Sequence, residues 1–189
     1  MKTIFYILII GMSLINAIFA SSLVGYDDLQ FLRTTYYSAV ENEDDVDKLE
    51  KFIQKKYGMS QESYPPIVLA YIAGIEALKS KHSFWITTKY KYLVKSMDIF
   101  EKAVNKSPND LEIRFMRFSI LHYVPGIVGY SKEKESDLTM VYNLLIKQTT
   151  NDLPKDIRMG MAQFLIDSDR LENKQIEELN KLKIELAKL

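Results

Sequence analysis

Apolar residues recur along most of the chain at intervals of three and four, the spacing that gathers them on one face of an α-helix. Proline, glycine, asparagine and aspartate interrupt this pattern and divide it into eight stretches. The predicted helices begin near Asp27 or Asp28, Asp44, Ile67, Thr87 or Thr88, Asp110, Lys132, Pro154 and Asn173. No stretch shows the strict alternation of a half-buried strand, so the sequence predicts an all-α fold.

The third predicted helix, from Ile67 to about Lys81, is apolar on nearly every side. A helix of this kind belongs in a hydrophobic core. Its single charge in mid-helix is Glu76, whose neighbours on the helix surface are apolar. A carboxylate buried without a partner is costly, so we expect Glu76 to reach water, a cation or a hydrogen-bond donor.

The fifth predicted helix, from Asp110 to Tyr123, has two apolar faces. Arg114 and Arg117 lie on the narrow polar strip between these faces, three residues apart. Because both apolar faces need partners, we predict that this helix is packed on two sides.

Helix-opening prolines divide the chain into units of similar length. Pro65, Pro108 and Pro154 are separated by 108 − 65 = 43 and 154 − 108 = 46 residues, and each interval holds two predicted helices. This period exceeds the ~34 residues of tetratricopeptide repeats and is closer to the ~40–47 of HEAT-type pairs. The sequence therefore predicts about four antiparallel helical hairpins, stacked as a short, right-handed tetratricopeptide- or HEAT-like array.

The N-terminus has the layout of a secretory signal peptide. Lys2 precedes an apolar run from Ile4 to Phe19, and the small residue Ala20 marks the expected cleavage point. We predict a signal peptide over residues 1–20, a single helical domain over residues 21–189, and export to the periplasm or cell envelope. An uncleaved membrane anchor is the alternative, although the run is shorter than the ~20 residues of a typical span.

Charge and cysteine content remove several classes of function. Cleavage after Ala20 would leave 24 basic and 25 acidic residues, a net charge of 24 − 25 = −1, which gives no overall electrostatic argument for nucleic acid or an anionic membrane. The chain has no cysteine, which excludes disulfides, thiolate catalysis and cysteine-bound metal. His82 and His122 lack neighbouring ligand patterns, so packing or helix-capping roles are favoured and no metal or cofactor is predicted.

Several motifs between Leu69 and Glu133 resemble a known family. The segment FEKAVNKSPNDLEIRF resembles the junction of two tetratricopeptide repeats. Lys81-His82, the stretch from Glu112 to Ser119 and the turn from Pro125 to Tyr130 are similar to motifs of an uncharacterised exported helical family from bacteria with an outer membrane. This resemblance implies helix pairs and export. It implies no activity, because none is assigned to that family.

The candidate site combines charged residues with an apolar turn. Two arginines on one strip suit a carboxylate or phosphate, and stacking of successive hairpins would bring Glu76 towards them. An ion pair from Glu76 to Arg114 or Arg117 that joins neighbouring hairpins is favoured over a ligand site. The binding residues that we predict are Glu76, His82, Arg114, Arg117, Gly129 and Tyr130, with the apolar turn from Pro125 to Tyr130 packed as the lip of a groove.

These observations favour an exported scaffold that binds a protein or peptide partner. The alternative is an envelope enzyme or small-ligand binder that uses Glu76 with the two arginines, although no catalytic motif is present and no catalytic residue is assigned. Trp85 and the tyrosines could form a stacking surface, but Tyr90 and others follow the helical spacing of core residues. A third possibility is a structural protein that assembles through its leucine-rich C-terminal helix.

Overall fold

The computed structural model describes residues 24–58, 60–147 and 153–188. The described chain forms eight α-helices and contains no β-strand, as its apolar pattern predicts. The helices are α1 Tyr26–Ala39, α2 Glu43–Tyr57, α3 Pro66–His82, α4 Ile86–Lys106, α5 Leu111–His122, α6 Ser131–Ile146, α7 Lys155–Asp167 and α8 Asn173–Ala187. Short 3-10 turns lie at Gln61–Ser63 and Gly126–Val128. The predicted signal peptide, residues 1–20, falls outside the described residues.

The residues that interrupt the apolar pattern also form the helix ends. The Asn42 side chain accepts a hydrogen bond from the backbone N–H of Asp44 and caps α2. Gly58 ends α2 with φ of 86°, a backbone conformation that favours glycine. The Asp110 carboxylate accepts the backbone N–H of Ile113 at 3.0 Å and starts α5. These three ends are therefore determined by local sequence.

Consecutive helices pack in four pairs, namely α1 with α2, α3 with α4, α5 with α6, and α7 with α8. The described residues divide into two compact units, the first ending at Lys106 and the second beginning at Ser107. The first unit holds the first two pairs, and the second unit holds the last two. The all-α fold of helical pairs is confirmed. The single domain over residues 21–189 and the handedness of an array remain predictions.

Helix α3 forms the centre of the first unit. It packs against α1, α2 and α4, and most of its side chains are buried, as its apolar sequence predicts. Phe100 of α4 and Leu49 of α2 are fully buried in the same unit. This burial determines the surroundings of Glu76, which α3 carries into the interior at 3% exposure.

The second unit has its own hydrophobic core. Its buried members come from helices α5 to α8 and from Leu153, just before α7. They are Leu111, Phe118, Leu138, Val141, Leu145, Leu153, Met161, Ala162, Leu165, Leu179, Leu182 and Leu186. The three buried leucines of α8 therefore stabilise the unit itself, and assembly through this helix remains a prediction. None of the described helices combines the length and the apolar character needed to cross a membrane.

Candidate functional site

An ion cluster joins α5 to α6 inside the second unit. The Asp137 carboxylate accepts hydrogen bonds from Arg117 Nε at 2.6 Å and Arg117 Nη2 at 2.9 Å, so this pair is bidentate. Arg114 Nη1 donates to the same carboxylate at 2.7 Å. The Asp137 side chain has no exposed surface, and the arginine side chains are 10% and 7% exposed.

The arginines are held at the start of α5 as well as by α6. Arg114 Nε donates to the Pro108 carbonyl at 2.8 Å, in the turn that precedes α5. Helix α5 is buried around most of its circumference, as its two apolar faces predict. The sequence suggested Glu76 as the acid for these arginines, and the acid that they contact within their own unit is Asp137. Buried and held by the same carboxylate, the two cations fasten one helical pair instead of presenting charge to a ligand.

Glu76 has cationic partners within the first unit. Lys95 Nζ of α4 lies 2.9 Å from Glu76 Oε1, and Lys79 Nζ lies 3.8 Å from the same oxygen. Lys79 in turn pairs with Glu50 of α2 at 2.8 Å. The expectation that Glu76 finds a cation is confirmed. Its second oxygen is buried and accepts no hydrogen bond from the described residues.

His82 links the ends of two helices. As the last residue of α3, it places Nε2 3.1 Å from the carbonyl oxygen of Ala39, the last residue of α1. This contact requires the proton on Nε2, because a carbonyl oxygen only accepts hydrogen bonds. The contact agrees with the predicted capping role and joins α3 to α1.

A cleft of about 230 Å³ lies beside His82 in the first unit. Its lining residues come from α2, α3, α4 and the turn after α3, and are Glu43, Val46, Asp47, Lys79, His82, Ser83 and Tyr92. Carboxylates and a lysine line the same cleft, so its chemistry suits a small polar ligand better than an apolar one. The described residues contain no group of three His, Asp or Glu side chains arranged to hold a metal ion.

The Pro125–Tyr130 turn, which we call the lip, is more exposed than the sequence predicted. Its backbone is well defined, because Val128 N–H donates to the Pro125 carbonyl at 3.0 Å and Gly129 adopts φ of 105°. Tyr130 precedes α6, and its carbonyl accepts the N–H of Lys134. The expectation that the turn is packed is wrong, because Pro125, Gly126 and Gly129 are exposed and Ile127 is 96% exposed. The 3-10 geometry directs this apolar side chain to solvent.

Aromatic rings surround His122 at the end of α5. The rings of Phe164, Phe118 and Tyr123 lie at centroid distances of 5.5, 6.2 and 4.9 Å from the imidazole. Desolvation, followed by the positive charges of Arg170 and Lys134, lowers the pKa of His122 below its usual 6.5. The Nδ1 atom is buried and has no hydrogen-bond partner among the described residues. The neutral ring is therefore the form that this site accommodates.

We expect the second unit to lose stability as the pH falls below 6.5. Below pH 6.5 His122 is protonated more readily in the unfolded chain than in the folded chain, because folding lowers its pKa. The neutral ring therefore contributes fully to the free energy of unfolding above pH 6.5. This contribution is lost as the pH falls towards the lower pKa of the folded state. Thermal unfolding of wild type and His122→Gln between about pH 7.5 and 5 measures this difference. Parallel pH profiles for the two proteins would contradict the assignment.

Two residues of the ion clusters, Asp137 and Lys95, were not predicted from the sequence. Asp137 lies four and eight residues before Val141 and Leu145, so it shares the buried face of α6. Lys95 lies one position before the buried Ser96, near the core face of α4. The helical spacing of Asp137 with two core residues could have indicated that it is buried.

Comparisons of the chain with protein-family models, with curated proteins and with solved structures found no match. The resemblance to an exported helical family therefore remains a prediction.

Proposed function

We propose that this protein is an exported helical scaffold that binds a protein or peptide partner through the lip of its second unit. The observation that carries the proposal is Ile127, 96% exposed on a turn whose backbone is held by hydrogen bonds. Tyr123, at the end of α5, is 76% exposed nearby in sequence. Exposed aliphatic and aromatic side chains on a preorganised turn are suitable anchors, because little conformational entropy is lost on binding.

The charge arrangement supports binding over catalysis. A catalytic acid or base needs contact with a substrate, whereas Asp137 is fully buried and accepts three hydrogen bonds from two arginines. The dry, bidentate Arg117 pair has the geometry of a structural fastener. By holding α5 against α6, it fixes both helices that flank the lip. The enzymatic alternative with Glu76 and the arginines is not favoured, because each group already has a partner within its own unit.

Site-specific photocross-linking tests the proposal. A benzophenone amino acid replaces Ile127 in one protein and the exposed Lys174 of α8 in a matched control. We expect a discrete cross-linked species from an extract of the source organism with the probe at 127 and none with the probe at 174. Excess unlabelled wild type should remove that species, while Ile127→Ser should not. Equal labelling at the two positions, or equal competition by the variant, would refute a partner site at the lip.

A further inference from the structure

The turn between α3 and α4 presents a cluster of large apolar side chains to solvent. Phe84, Trp85, Ile86 and Tyr90 are 86%, 69%, 77% and 57% exposed, and we call these four residues the tip. Tyr90 does not pack as its helical spacing predicts. Singly exposed apolar residues are ordinary, but a cluster of four marks a site of interaction.

The backbone that carries the tip is fixed. Ser83 N–H and Oγ both bond to the Lys79 carbonyl, at 3.1 and 2.6 Å, and Lys89 N–H donates to the Trp85 carbonyl at 2.9 Å. The Phe84 and Trp85 rings meet edge to face at 5.2 Å. Ile86 and Tyr90 lie one helical turn apart and share a face of α4. The backbone hydrogen bonds therefore hold these exposed apolar side chains in a defined arrangement.

The tip lies in a basic stretch of an otherwise balanced chain. Residues 77–97 contain five lysines and no acidic residue. Three of these lysines, Lys79, Lys81 and Lys95, pair with carboxylates of the first unit. Lys89 Nζ donates to the Lys81 and Ser80 carbonyls, and Lys91 is exposed. Two cations that form no ion pair within the described residues thus flank Tyr90.

We propose that the tip docks on the surface of an anionic phospholipid bilayer. Phe, Trp and Ile are the side chains that enter the boundary between headgroups and acyl chains, and Tyr is typical of the headgroup level. Lys91 would meet the lipid phosphates, and an anionic leaflet attracts lysines near its surface. This activity is separate from the partner site at the lip, which belongs to the other unit.

The shape of the tip favours a bilayer over a protein partner. Each of its side chains is exposed over more than half of its surface, so the tip is a projection and not a groove. A stable protein interface needs roughly 800 Å² from each partner and about 20–30 residues a side. A fluid interface imposes no such requirement, because lipids mould around a few inserted side chains.

Trp85 is the only tryptophan of the chain and reports directly on the tip. Residues 21–189 would be titrated with vesicles of phosphatidylcholine alone and of phosphatidylcholine mixed with phosphatidylglycerol. We expect a blue shift of Trp85 emission, quenching by brominated acyl chains, and tighter binding to the anionic vesicles. Lys91→Gln should weaken binding to anionic vesicles about five-fold and leave binding to phosphatidylcholine unchanged.

Variants of the apolar side chains separate insertion from adsorption. Ile86→Ser should weaken binding about ten-fold or more on both vesicles, because its side chain no longer enters the interface. Tyr37→Ser is the matched control, since Tyr37 is 83% exposed in the same unit but outside the tip, and it should bind as wild type. Circular dichroism confirms that each variant is folded.

Three results would overturn the proposal. The first is unchanged Trp85 emission with both vesicles. The second is a blue shift that grows with protein concentration in the absence of lipid, which would identify a second copy of the chain as the occupant. The third is equal loss of binding in Tyr37→Ser and Ile86→Ser, which would show that the tip is not the contact.

Discussion

Replacing Asp137 with alanine is expected to lower the free energy of unfolding of the second unit by about 3–5 kcal/mol. The carboxylate accepts hydrogen bonds from Arg114 and Arg117, and all three side chains are nearly excluded from water. Its removal leaves two guanidinium groups close together in the interior without this partner. The cost of an uncompensated buried charge then adds to the lost contacts.

Hydrogen exchange followed by mass spectrometry measures this loss unit by unit. Protection should fall in α5 and α6 and remain unchanged in residues 24–106. Glu135→Ala is the matched control, because Glu135 pairs with Arg170 at an exposed site and should cost at most about 1 kcal/mol. Comparable losses in the two variants would contradict the buried cluster.

A compensated variant distinguishes a structural cluster from a ligand site. Replacing Arg114 and Arg117 with methionine and Asp137 with leucine removes every charge of the cluster together. Apolar replacement of a buried ion cluster is often neutral or stabilising by about 1–4 kcal/mol, so we expect stability to recover. If the fastener interpretation is correct, this variant also retains the cross-link at position 127. Recovery of stability with loss of the cross-link would instead assign the arginines a role in binding.

The helices and several of their ends could be predicted from the sequence because local chemistry determines them. Asn42 and Asp110 cap helices with their own side chains, and Gly58 supplies the positive φ that ends α2. The apolar surface of α3 required burial wherever that helix was placed. Each of these inferences depends on residues within one or two helical turns.

The charge partners could not be predicted because they depend on which helices meet. Stacking of hairpins suggested that Glu76 would reach the arginines, but contacts within each helical pair determine both clusters. Glu76 is paired across α3 and α4 by Lys95, and the arginines are paired across α5 and α6 by Asp137. Because a short connection holds the two helices of a pair side by side, the second helix is the nearest source of an oppositely charged side chain.

Exposure of apolar residues was a second point that the pattern left undetermined. Tyr90 follows the core spacing of α4, yet it is 57% exposed. It lies near the start of the helix, before Ser96, which is the first buried residue of α4. Ile127 lies in a turn whose composition suggested packing. Hydrophobicity alone does not distinguish a core residue from an apolar residue on a binding surface. Both proposed binding surfaces, the tip and the lip, consist of apolar residues that are exposed.

Replacing Phe118 with alanine is the second large effect that we expect, a loss of about 3–5 kcal/mol in the second unit. Phe118 is fully buried, and its ring meets Phe164 nearly perpendicularly at 5.9 Å. Truncation removes both the buried apolar surface and this edge-to-face contact, and leaves a cavity where the ring was. Chemical denaturation of both proteins at neutral pH measures the difference.

The same substitution should change the pH response, because Phe118 is one of the rings that desolvate His122. Loss of the ring admits water, raises the pKa of His122 towards 6.5 and makes the decline of stability below that pH shallower. Phe115→Ala is the matched control, since Phe115 also meets Phe164, at 5.4 Å, but is only partly buried. It should cost less and keep the wild-type pH profile. Equal costs with identical pH profiles would show that the aromatic cluster does not set the environment of His122.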